Sequence, residues 1–103
     1  MSILLGNKLK ALREVKQMPQ RQLAASLEID TATYCKIEKG DRRAKREQIE
    51  MLAELLDFDK KKLIRIWSAD KIYEIIANDD DASNILNVVA ENIVEYKHKT
   101  SKV

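Results

Sequence analysis

Very little in this chain breaks a helix or calls for a metal. Two glycines and one proline in 103 residues leave few places where the backbone must turn sharply, which favours helices. The single cysteine, Cys35, excludes an intramolecular disulfide, and with one histidine, His98, no Cys/His spacing suits zinc. No apolar run is long enough to span a membrane, and the start of the chain lacks a basic stretch followed by an apolar one and a cleavage site. The expectation is a cytoplasmic protein with no membrane partner, no metal and no cofactor. Catalysis finds little to work with: His98 lies near a chain end expected to fray, and Cys35 has no base near it in sequence. Asp79 to Asp81 read as a helix start, where negative charge is favourable, rather than as a metal site. The chain is not read as an enzyme.

What is present is a helix-rich pattern. Hydrophobic residues make up 45% and charged residues 35%, the balance of an ordered chain with a modest core. Leu5, Leu9, Leu12 and Val15 recur at helical spacing and predict a helix from Leu5 to Lys16. Gln17 and Met18 turn the chain, and Pro19 sits where the next helix begins. Gln20 to Leu27 and Thr31 to Lys39 form two short helices, with Glu28 and Ile29 as the turn, Asp30 as the cap and Gly40 as the stop. A fourth helix runs from Arg46 to Leu56. Phe58 closes the core and Asp59 caps a fifth, Lys60 to Ala77. A sixth runs from Ala82 to Lys97, and His98 to Val103 are expected to fray.

Two short helices joined by so few residues must cross steeply, leaving the second one projecting. This is the layout of a helix-turn-helix, whose second helix fits the DNA major groove. Charge agrees with that assignment. Residues 1–62 hold 14 Lys/Arg against 10 Asp/Glu, a balance of +4, whereas residues 63–103 hold 5 against 7, a balance of −2.

From Leu5 to Asp59 the chain resembles the Cro/C1 repressor family, also called the XRE family. The likeness rests on Leu5-Gly6-x-x-Leu9-x-x-Leu12-Arg13, Gln20-x-x-Leu23-Ala24, Ile29-x-x-x-x-Tyr34-x-x-Ile37-Glu38-x-Gly40 and Leu52-Ala53-x-x-Leu56. It implies an all-α, lambda-repressor-like helix-turn-helix DNA-binding domain over residues 1–59, followed by a two-helix C-terminal extension over residues 60–103. It also implies a role in regulating transcription, as a repressor in many relatives. Carried over by position, Thr31, Ala32, Cys35 and Lys36 would face base edges, and Ala32 and Cys35 depart from the long polar side chains frequent there. Lys36 suits guanine O6 and N7, Thr31 either base edge, and Ala32 a thymine methyl.

Phosphate contacts are expected from Gln20 at the start of the second helix and from Arg42, Arg43, Lys45 and Arg46 in the loop after Gly40, with Thr33 and Lys39 as additional contacts. Arg13 and Glu38 resemble a structural pair joining the first and third helices. One such head reads about one half-site of double-stranded DNA, so a homodimer on a palindromic operator is expected. Trp67, Tyr73, Ile85, Val89, Ile93 and Tyr96 in the tail supply the apolar surface for dimerisation. The alternative is an antitoxin that represses its own operon through the head and binds a toxin partner through the tail.

Overall fold

The computed structural model describes the backbone of residues 4–101, with side chains through residue 97. The described residues form α1 (Leu4–Val15), α2 (Gln20–Ser26), α3 (Thr31–Lys39), α4 (Arg46–Leu55), α5 (Lys60–Ile76) and α6 (Ala82–Ser101). The architecture is all-α, as the sequence predicts. The backbone stays helical from His98 to Ser101, where fraying was expected, and residues 102–103 lie outside the described residues.

One core joins the first five helices. Leu9, Leu23, Tyr34, Ile49, Leu52, Leu56 and Leu63 are fully buried, and Leu5, Ile37 and Trp67 complete the cluster. α1 packs on α3 and α5, α2 on α3, and α4 on α5. At Gly6 the α1 backbone meets α3 so closely that a Cβ would sit 2.0 Å from the Glu38 carbonyl oxygen. Val15, which continues the spacing of Leu5, Leu9 and Leu12, is 83% exposed, because it occupies the last position of α1 and the core has ended by then.

Four helix ends share one design. The amides of Gln17, Glu28, Gly40 and Asp57 bond back to the carbonyls of Glu14, Ala25, Ile37 and Glu54. The next amides, of Met18, Ile29, Asp41 and Phe58, reach Arg13, Ala24, Lys36 and Ala53. These paired bonds satisfy carbonyls that the helix leaves open, and they require a left-handed residue at the turn. Only one of the four is glycine, at φ 82°. Gln17, Glu28 and Asp57 adopt φ of 55°, 59° and 57° despite their side chains. Met18, Ile29 and Phe58 then pack against the core, which fixes the path of the chain after each turn.

The boundary expected at Asp59 falls inside the packed unit. Trp67, Asp70 and Glu74 lie three and four residues apart on one face of α5, and each engages the head. The Trp67 indole Nε1 donates to the Ala44 carbonyl at 2.8 Å, and Asp70 Oδ2 accepts from the Leu5 amide at 2.9 Å. Glu74 pairs with Arg43. Trp67, expected at a dimer interface, is instead 8% exposed and belongs to the head's own core. Helical spacing marks a residue as facing apolar surroundings, but not whose surroundings they are. Beyond this face the tail opens out. Every α6 residue with a described side chain is exposed except the half-buried Ala82 and Ile85.

Candidate nucleic-acid interface

α2 and α3 are joined by Leu27 to Asp30. Asp30 has extended backbone, at φ −78° and ψ 160°, and its Oδ1 accepts from the Thr33 amide at 2.7 Å, which starts α3. Hydrogen bonds from the Thr33 hydroxyl and amide hold the Asp30 carboxyl below its ordinary value. Tyr34, Ile37 and Glu38 form the buried face of α3. Thr31, Ala32, Lys36 and Lys39 are exposed, and Thr33 and Cys35 are half-buried. α3 therefore turns one side to the core and one polar, cationic side outward.

The inner side is fastened by a polar cluster. Arg13 Nε and Nη2 donate to Glu38 Oε2 at 2.9 Å and Oε1 at 3.2 Å, a bidentate pair, and Arg13 Nη1 donates to the Met18 carbonyl at 3.1 Å. Arg13 thus ties the end of α1 and the α1–α2 turn to α3. Gln20 Nε2 adds a third donor to Glu38 Oε1 at 3.1 Å, and Gln20 Oε1 accepts from Cys35 Sγ at 2.8 Å. Burial alone would push the Glu38 carboxyl up. The bonds from Arg13 and Gln20 and the neighbouring Tyr34 hydroxyl outweigh it and hold Glu38 below its ordinary value of 4.5. Burial first, and the adjacent carboxylate second, push the Tyr34 hydroxyl up, although its geometry falls short of a hydrogen bond.

This cluster places two expected contact residues differently from a free surface side chain. Gln20, expected at phosphate, has both ends of its amide engaged within the protein, leaving one Nε2 hydrogen for a ligand. Cys35, expected near bases, points its thiol across to α2.

The loop after α3 carries exposed Arg42, Arg43 and Lys45, with Arg46 exposed at the start of α4. Between them Ala44 is buried, so the cations are displayed from an anchored backbone and not from a loose one. The Lys45 amide donates to Gln48 Oε1 at 2.8 Å, which opens α4. Arg43 is the exception among these cations, since Glu74 of α5 holds its guanidinium.

Sequence reasoning missed Asn7 and Lys10. They line one groove with Gln20, Cys35, Glu38 and Lys39, on the side where α1, α2 and α3 meet. Their three-residue spacing opposite Leu5 and Leu9 was the available signal, but it reads equally as an ordinary solvated face.

The family model described as helix-turn-helix domain matches residues 4–63, and the chain belongs to that family of DNA-binding domains. The match begins with α1 and ends in the first turn of α5. No curated protein and no solved structure is similar enough to match. No helix of the described residues is long and apolar enough to cross a membrane.

Proposed function

We propose that this protein is a sequence-specific transcriptional regulator of the Cro/C1 type, acting in the cytoplasm as a homodimer on a palindromic operator. The observation that carries this reading is α3 itself. It is pinned on one side by Tyr34, Ile37 and the Arg13–Glu38–Gln20 cluster, and it displays Thr31, Ala32, Lys36 and Lys39 on the other. A helix held so firmly can present donors to base edges without losing much side-chain and backbone freedom on binding. Arg42, Lys45 and Arg46 supply phosphate attraction beside it. The ordered residue series from Leu5 to Leu56 supports the narrower Cro/C1 assignment. Catalysis has no part in this reading, and Cys35 serves as a partner of Gln20 rather than a nucleophile.

The experiment is selection from a random duplex library with purified protein, repeated with Lys36→Ala. A two-fold symmetric motif that changes or disappears in the variant supports the reading. Binding without an enriched motif, abolished by salt, overturns it and leaves non-specific phosphate attraction. The exposed face of α6 also suits an antitoxin, whose tail would cover that face with a toxin. A chain that is insoluble when expressed alone and is rescued by co-expression with a partner protein favours the antitoxin.

A further inference from the structure

Resting on the regulator reading above, we infer that Cys35 is a positioning residue: it holds the Gln20 side chain so that Gln20 offers its one unused N–H to a DNA phosphate. Cys35 acts on the operator through Gln20 and not by touching a base. The two residues are 15 positions apart, one on α3 and one on α2.

The chemistry of its partners leaves the Gln20 amide a single orientation. The Glu38 carboxylate can only accept, and it takes Gln20 Nε2 at 3.1 Å. Arg13 holds that carboxylate in place through two bonds of its own. Gln20 Oε1 also can only accept, so the Cys35 thiol at 2.8 Å is the donor. Turning the amide over would set its oxygen against the Glu38 carboxylate. Cys35 and Glu38 lie three residues apart on α3, so one helix face grips both ends of the amide. Without the thiol the amide is held at one end only, and its oxygen must find water instead. A side chain already held in place loses little freedom when it meets a ligand.

The surroundings select the ligand. Gln20, Cys35 and Glu38 line one groove with Asn7, Lys10 and Lys39. Lys10 and Lys39 are exposed and bring positive charge to it, while Arg13 answers the charge of Glu38. What Gln20 has left to give is a hydrogen, and what it needs is an acceptor. A phosphate oxygen supplies the acceptor and suits the two ammonium groups. The one hydrogen of the Cys35 thiol is spent on Gln20, which leaves it none to donate to a base edge.

The test uses the full chain and the duplex that selection yields, under conditions where melting shows each variant fully folded. Cys35→Ala removes the donor and Cys35→Ser keeps one. Cys35→Ala is expected to weaken operator binding about three- to tenfold per subunit, the worth of one net hydrogen bond. Cys35→Ser is expected to restore it. In a Gln20→Ala background, Cys35→Ala is expected to cost nothing further. Duplexes carrying one neutral methylphosphonate at a time add a readout that a merely structural role would not move. The phosphate whose replacement weakens the parent but not Gln20→Ala is the one Gln20 reaches. Cys35→Ala is expected to lose sensitivity at that phosphate alone, with the selected base motif unchanged. A cost that persists without Gln20, or a changed motif, means that Cys35 meets DNA itself and overturns the inference. Binding that Cys35→Ala or Gln20→Ala leaves intact, or that Cys35→Ser fails to restore, overturns it too. A parent chain that enriches no motif overturns the regulator reading and the inference with it, and that outcome is read before any variant is made.

Discussion

The indole Nε1 of Trp67 donates to the Ala44 carbonyl at 2.8 Å, across 23 residues of sequence, and this bond is buried. It joins α5 to the loop that displays Arg42, Lys45 and Arg46. Lys71 lies over the indole, 3.4 Å from the ring centroid, and covers its outer face. The tail is thus part of the device that sets the height of the basic loop.

Trp67→Phe keeps most of the packing but leaves the Ala44 carbonyl without its donor. A loss of about 1–3 kcal/mol is expected, read as a lower midpoint in urea with an unchanged slope. DNA affinity is expected to fall in the same variant under conditions where it is fully folded. Unchanged stability would mean that the carbonyl finds another donor at no cost.

Gly6→Ala is expected to be more damaging than its single methyl implies. The added Cβ would lie 2.0 Å from a backbone oxygen and 2.7 Å from its carbon, atoms that cannot rotate away. α1 must lift from α3, at a cost of about 1–3 kcal/mol or more. Because Glu38 supplies that carbonyl, the lift also strains the Arg13–Glu38 pair. Thermal melting checks this, and a midpoint within error of the parent would show that the two helices separate freely.

These two positions show what was legible in the sequence and what was not. α3 could be bounded at Thr31 and Lys39 because its signals are local: an aspartate that accepts from the amide three residues on, and a glycine that takes the left-handed turn. The starts of α2, α4, α5 and α6 follow from similarly local patterns. The close approach at Gly6 involves residues 32 positions apart, and no periodicity reports it. Trp67 was legible as apolar-facing but not as a core residue, because its partner Ala44 is a backbone carbonyl with no sequence signature. In the candidate site, the cationic loop could be read from composition. The engagement of Arg43 by Glu74 and of Gln20 by Glu38 and Cys35 joins residues 31, 18 and 15 positions apart, and no local pattern marks it.

Glu28→Gly is expected to stabilise the protein. Glu28 holds φ 59°, a conformation that costs a residue with a Cβ about 1–2 kcal/mol and glycine almost nothing. The greater freedom of glycine in the unfolded chain offsets part of this, leaving a gain of about 0.5–1 kcal/mol. The expected rise in melting temperature is a few degrees. A fall would show that the Glu28 side chain makes a contribution larger than its backbone strain.

Acid should unfold the protein partly through Glu38. Its folded value lies below its ordinary 4.5, so its contribution is complete above that value and is lost as pH falls through the folded one. Asp30, lowered by Thr33, acts in the same direction. Melting measured from about pH 7 to pH 3 is expected to show a plateau and then a decline. Glu38→Gln should lower the plateau, because it leaves the Arg13 charge nearly buried without its partner, and should flatten the decline. An equally steep decline in the variant would assign the acid sensitivity to other carboxylates.

The pairing of Arg43 with Glu74 separates it from the other cations of the loop. Each phosphate contact contributes about 0.9 to the slope of log affinity against log salt. Arg42→Ala, Lys45→Ala and Arg46→Ala are each expected to reduce that slope by about this amount, since their side chains are exposed. Arg43→Ala is expected to leave it nearly unchanged, because its charge is already answered within the protein. Glu74→Gln then becomes the informative partner. Releasing Arg43 should steepen the slope by about 0.9 and raise non-specific affinity at low salt. If Arg43→Ala alone reduces the slope as much as Arg42→Ala does, Arg43 leaves Glu74 on binding, and the pair is a resting position that DNA displaces.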